Sequence, residues 1–228
     1  MAGKRAKRRQ RKSNVVWIVG GLLIVVLVVA VVVLANGTNA ASAPVVASPP
    51  PPAPLDKCGS ATCGRATAPV TLDVYADFQC PYCKAFEPAL EQLTASYIDT
   101  GKVKLVYHNF PVIGPESVTA AQASMCAADQ NRFWMFANDL FVHQGAENSS
   151  VFTPSNLQSL AVAAGLDGAA FKSCLDSQKY SSIINQQLAE GNQRGVKATP
   201  TFFINGQIHE GGVAYSQLTA LLDAALPK

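Results

Sequence analysis

Residues 70–83 read Val70-Thr71-Leu72-Asp73-Val74-Tyr75-Ala76-Asp77-Phe78-Gln79-Cys80-Pro81-Tyr82-Cys83. Apart from Asp73 the first seven are apolar or β-branched, the composition of a strand on a pleated, buried surface. After Cys83, Phe86, Leu90, Leu93 and Tyr97 recur at helical spacing. The two cysteines therefore fall where a strand ends and a helix begins, and Pro81 suits the first helical position, where its missing N–H costs nothing. Backbone N–H groups at a helix N-terminus stabilise an anion. Cys80 is thus expected to be the acidic thiol, and Cys83, one turn in, the less exposed resolving partner. A Cys-x-x-Cys is too short for a routine structural bridge and suits a dithiol that cycles. Pro88 removes a hydrogen bond from the helix that follows and predicts a kink there.

Upstream, the chain changes character. Residues 1–14 hold seven basic side chains and no acidic one, while residues 15–228 hold 11 basic against 15 acidic. The bulk of the protein is mildly acidic and its basic cluster is confined to a tail, which argues against nucleic acid as a partner. From Val15 to Ala35 run 21 residues without a charge, Val-Val-Trp-Ile-Val-Gly-Gly-Leu-Leu-Ile onward. A helix of that length spans roughly 30 Å, enough to cross a bilayer. The preceding basic tail, 1–14, is expected to stay cytoplasmic by the positive-inside rule, which sends everything after Ala35 across the membrane. A cleaved signal peptide is the competing reading, with Ala41-Ser42-Ala43 as its cleavage site, but such apolar cores are usually only about 7–15 residues long. Residues 36–56 carry six prolines between Pro44 and Pro54 and read as an extended spacer that buries no core.

All six cysteines, Cys58, Cys63, Cys80, Cys83, Cys126 and Cys174, follow the apolar segment. An even count on the exported side favours disulfides, and six cysteines allow 15 pairings. Cys58, Cys63, Cys80 and Cys83 come close to zinc-ribbon spacing. Against that reading, the sequence between them has the pattern of a buried strand, and Pro81 suits a helix start. His108, His143 and His209 have no mutual spacing that suggests a metal site, so no metal is expected.

Far downstream, Ala198-Thr199-Pro200-Thr201-Phe202-Phe203-Ile204-Asn205-Gly206 joins a proline to a buried strand, and Asn205-Gly206 reads as a tight hairpin turn. Taken with residues 77–83, this segment resembles the DsbA-like members of the thioredoxin superfamily, over roughly residues 64–228. The resemblance implies an α/β thioredoxin fold with a helical insertion, here preceded by one transmembrane helix, in a domain running from 57 to 228. It implies a cis Thr199-Pro200 bond facing the dithiol. It also implies a substrate site made by Pro81, Tyr82, Thr199 and Pro200, in which the Thr199 backbone pairs with an extended peptide. The stretch from Cys83 to Pro200 is too long for plain thioredoxin. A strand over 103–107 is followed by helical spacing at Ala120, Ala123 and Ala127, at Phe133, Phe136 and Leu140, and at Leu157, Leu160 and Ala164. The insertion is placed at about 115–190.

In similar proteins a cysteine in each half of the insertion forms a structural bridge, which implies Cys126 with Cys174. Two free buried thiols are the alternative. Cys58 and Cys63 are close enough for a local bridge closing the end of the spacer, or else form a second redox pair that relays electrons. Many thioredoxin-like proteins carry a buried carboxylate six residues before the first cysteine, where this chain has Val74. That leaves Glu87, one turn after Cys83, as the expected proton acceptor, with Asp77 second. Tyr82 stands where the best-known DsbA enzymes have histidine. The function implied is thiol-disulfide exchange that introduces disulfides into exported proteins with reduced cysteines, without a cofactor. A membrane partner of DsbB or VKOR type would reoxidise the dithiol. A reductase or isomerase of the same compartment, and a tethered chaperone or binding module that performs no exchange, are the alternatives.

Overall fold

The computed structural model describes residues 58–228. The basic tail, the apolar segment 15–35 and the spacer to 56 lie outside the described residues. Among the described residues no helix is long and apolar enough to cross a membrane.

Five strands form one sheet: β1 (Thr62–Cys63), β2 (Val70–Ala76), β3 (Val103–Asn109), β4 (Thr201–Ile204) and β5 (Gln207–Glu210), in the order β1-β3-β2-β4-β5. β2 lies parallel to β3 and antiparallel to β4, while β1 and β5 are antiparallel edges. Among the described residues seven helices accompany the sheet: α1 (Pro81–Glu91), α2 (Pro115–Ala128), α3 (Phe133–Val142), α4 (Pro154–Ala163), α5 (Gly168–Asp176), α6 (Ser181–Gln193) and α7 (Tyr215–Ala225). This is the thioredoxin arrangement with a helical insertion, α2 to α6, between β3 and β4.

Alternation of side chains along each strand separates two cores. Leu72 and Val74 of β2, Val103, Leu105 and Tyr107 of β3, and Phe202 and Ile204 of β4 join the main one, beneath α1, α7 and the insertion. On the other face Tyr75, Phe110, Val196 and Phe203 form a smaller cluster with Leu188 of α6. Gly191 of α6 permits that packing, because a Cβ there would stand 2.6 Å from a ring carbon of Phe110. Beside this cluster Asp73 accepts from Arg194 at 3.3 Å and meets His108 Nε2 at 2.9 Å, while the His108 ring stacks on Tyr75. His108 is thus a strand residue with a polar partner.

Local signals explain where the elements begin and end. Proline occupies the first turn of α1, α2 and α4, and the Thr153 and Asp167 side chains cap α4 and α5. α1 continues through Pro88 to Glu91 and is followed by a π-helical turn, Thr94–Ile98. Asn205 and Gly206 both have positive φ, at 48° and 86°, the conformation a two-residue hairpin turn between β4 and β5 requires. Strand β3 extends two residues past the span read from the sequence, to Asn109. There His108 meets Asp73, and the Asn109 backbone N–H donates to Gln187 Oε1 of α6 at 3.1 Å. The strand's end is thus fixed by polar contacts to other segments.

Candidate active site

Cys80 is the N-cap of α1. Its carbonyl accepts from the backbone N–H of Cys83 at 3.1 Å and of Lys84 at 3.2 Å. Both thiols are buried and unjoined, Cys80 5% and Cys83 2% exposed, whereas Tyr82 between them is 72% exposed. The Cys80 thiol hydrogen-bonds the carbonyl oxygen of Thr199 at 3.2 Å. The peptide bond from Thr199 to Pro200 is cis. Cys80, Cys83, Thr199 and Pro200, which lie far apart in sequence, are therefore brought together, with Pro81 opening the helix and Tyr82 presented to solvent.

The two sulfurs differ in acidity. A hydrogen bond from the Cys83 thiol, helped by the Thr199 side chain and the backbone N–H groups of Cys83 and Tyr82, holds the Cys80 thiol down to about 6 against the opposing effect of burial. Burial and the adjacent Cys80 push the Cys83 thiol far up. Cys80 is thus the stable thiolate at neutral pH and Cys83 the stable thiol.

Glu87 lies one turn beyond Cys83 on α1 and is buried, so burial, with the nearby charge of Glu91, raises its carboxyl to about 8. It is protonated at neutral pH. Asp77 is also buried, and its two oxygens are taken by three backbone amides, those of Gln79 at 2.9 Å, Val112 at 2.9 Å and Ile113 at 3.0 Å. That arrangement suits Asp77 to holding the loop before Cys80. Val74 is buried among apolar neighbours and brings no charge to the site.

The remaining cysteines sit elsewhere. Cys126 of α2 is joined to Cys174 of α5, with an S–S distance of 2.01 Å, inside the insertion. Cys58 is joined to Cys63 of β1. Cys63 pairs with Leu105, which pairs with Leu72 near the start of β2, whereas Cys80 follows the end of that strand. The structure does not bring the Cys58/Cys63 pair to the dithiol. Among the described residues no cluster of three or more His, Cys, Asp or Glu side chains could hold a metal ion.

Four contacts of Gln79 and Gln144 escaped the sequence reading. Gln79 donates to Ser117 Oγ at 2.8 Å and accepts from the Asn148 backbone N–H at 2.6 Å. Gln144 Nε2 donates to the carbonyls of Phe78 at 2.7 Å and Cys80 at 3.0 Å. A lone amide side chain in a long insertion carries no spacing signal that would have found it.

Comparison with known proteins places this geometry in a family. A family model described as Thioredoxin matches residues 57–224. The Na(+)/H(+) antiporter NhaA 3 of Salinispora tropica is 33% identical over 174 residues, 75% of this chain and 26% of the antiporter. The chain thus spans about a quarter of the length of the first curated relatives it matches. The disulfide bond formation protein D of Bacillus subtilis is 27% identical over 172 residues, covering 74% of this chain and 78% of that protein. Among solved structures, oxidised BdbD from Bacillus subtilis superposes with a TM-score of 0.66 at 26% identity, over 73% of this chain and 92% of that one. The strand, dithiol helix and cis-proline strand described above, together with the match over residues 57–224, show that this chain belongs to the thioredoxin family.

Proposed function

We propose that this chain is a DsbA-like thiol-disulfide oxidoreductase that introduces disulfides into exported proteins from the outer side of a membrane. The observation that carries the reading is the split between the two thiols, with an acidic Cys80 at a helix N-terminus and a buried, weakly acidic Cys83 one turn below it. A thiolate that is stable when reduced makes the corresponding disulfide a strong oxidant. The likeness to disulfide bond formation proteins and to BdbD supports it.

The exchange runs in two steps. A substrate thiolate attacks Cys80 Sγ of the oxidised enzyme, the Cys80–Cys83 bond breaks, and Cys83 leaves as a thiolate that takes up a proton. Glu87, expected from the sequence as a proton acceptor, is neutral at pH 7 and is the proposed donor in this direction, accepting the proton when the exchange runs in reverse. A second substrate thiolate then attacks the substrate sulfur of the mixed disulfide and Cys80 leaves as its stabilised thiolate. Two substrate thiols become one disulfide, and the enzyme disulfide becomes a dithiol. The carbonyl of Thr199, facing Cys80 beside Pro200, is available to pair with an extended substrate segment while the mixed disulfide exists.

The anchor and compartment rest on sequence. The apolar run 15–35 behind a basic tail supports a single-pass anchor with the domain outside the cytoplasm. A membrane oxidase of DsbB or VKOR type is the proposed acceptor of the two electrons, and tethering in the same bilayer raises its effective concentration. The test is oxidation of a reduced, unfolded model protein by the full chain. Wild type should form substrate disulfides stoichiometrically and Cys80→Ser none; equal behaviour of the two would leave only a binding module.

A further inference from the structure

The insertion reaches the redox loop through three consecutive residues. Gln79, 3% exposed, is clasped by Ser117 and Asn148, while the amide of half-buried Gln144, two residues past the end of α3, spans the carbonyls of Phe78 and Cys80. The Cys80 carbonyl already accepts from the backbone N–H groups of Cys83 and Lys84. It is the first acceptor of α1, and the side chain that donates to it, Gln144, comes from the helical insertion. Lys84, the next residue of α1, reaches back to the carbonyl of Val142 in α3 at 3.3 Å, so the two helices are tied in both directions.

We propose that Gln144 is a positioning residue: by fixing and polarising the Cys80 carbonyl it couples the helical insertion to the reactivity of the Cys80 sulfur. The inference rests on the oxidoreductase reading above and deepens it. A carbonyl oxygen bears partial negative charge, and this one belongs to the same residue as the reactive sulfur. A donor on it offsets that charge and holds the oxygen turned into the helix beside the Cys83 and Lys84 N–H groups, so that it opposes a negative sulfur less. Without the amide that carbonyl's charge is less well offset, and the negative sulfur is favoured less. Gln144 touches no reacting atom and acts through the backbone of Cys80.

The test compares the pH profile of iodoacetamide alkylation of reduced Cys80 in the full chain, purified in mild detergent, for wild type, Gln144→Met and Gln130→Met. Gln130 also makes two backbone contacts, donating to the carbonyl of Asp167 and accepting from its N–H, but only inside the insertion, and so serves as the structural control. Gln144→Met should slow alkylation at pH 6 about two- to fivefold and move the midpoint to higher pH, a shift of about half a unit to one unit, while Gln130→Met keeps the wild-type profile. An unchanged profile in Gln144→Met, or an equal shift in Gln130→Met, overturns the assignment. Should Gln144→Met not fold, Gln144→Leu, which also removes the donor without adding a charge, is read in the same way. Failure of both to fold while Gln130→Met folds would assign Gln144 to stability and overturn the proposal. A wild-type protein with no acidic thiol at all would instead overturn the oxidoreductase reading beneath it.

Discussion

Cys80 Sγ lies 3.2 Å from the carbonyl oxygen of Thr199, although 119 residues separate the two in the chain. That contact joins the start of the dithiol helix to the loop entering β4. It follows from the place of β2 at the centre of the sheet, parallel to β3 and antiparallel to β4. Cys80 follows the end of β2 and Thr199 precedes the start of β4, so the antiparallel pairing brings them to the same edge.

The roles of the two cysteines differ, and single substitutions should separate them. Cys83→Ser keeps the acidic attacking sulfur and removes the group that resolves it. Offered a protein that already carries a disulfide, the Cys80 thiolate should attack it, release one substrate thiolate and stay held as a mixed disulfide, seen as a reducible adduct by mass spectrometry, whereas Cys80→Ser should give none.

Glu87 should make stability fall as pH rises. Its carboxyl titrates near 8 in the folded chain against an ordinary 4.5, so between these values the folded state holds a proton that the unfolded state has lost. Stability is greatest below about pH 4.5, declines through the interval and levels off above pH 8. Glu87→Gln should flatten that slope and raise stability at pH 8 by about 3–5 kcal/mol, less if the site relaxes. Denaturant unfolding at pH 5 and pH 8 checks the sign. The same variant should slow the step in which Cys83 gains its proton.

Much of this was legible in the sequence, and particular residues show why. The Cys80–Cys83 pair, the helix start at Pro81 and the Asn205–Gly206 turn are local signals, in which the residue types that matter are neighbours. Gln144, Gln79 and Asn148 were not legible, since an amide declares no partner until the fold supplies one. Asp77 was readable as a carboxylate near the site, but its engagement by the backbone of Val112 and Ile113 depends on a loop 35 residues away. Burial of Glu87 likewise depends on what covers its helix face, which its spacing from Cys83 leaves open.

The Cys126–Cys174 bridge closes a loop with a sequence separation of 48. Its replacement by two alanines should lower unfolding free energy by about 4 kcal/mol by chain entropy. The loss should appear in chemical denaturation, with the alkylation profile of Cys80 unchanged, because the bridge ties α2 to α5 within the insertion.

Gly191→Ala tests the second core. A methyl group there would meet the rings of Phe110 and Tyr75 at 2.6 to 3.0 Å. The clash should outweigh the roughly 1 kcal/mol that alanine gains in a helix. A net loss of about 1–3 kcal/mol in denaturant unfolding is expected.

The most direct test of the central claim is the equilibrium reduction potential of the Cys80/Cys83 couple, measured against glutathione with Cys126 and Cys174 left joined. An acidic Cys80 predicts a value toward about −120 mV, that of a disulfide donor. A value near about −270 mV would contradict the account and make the protein a reductase.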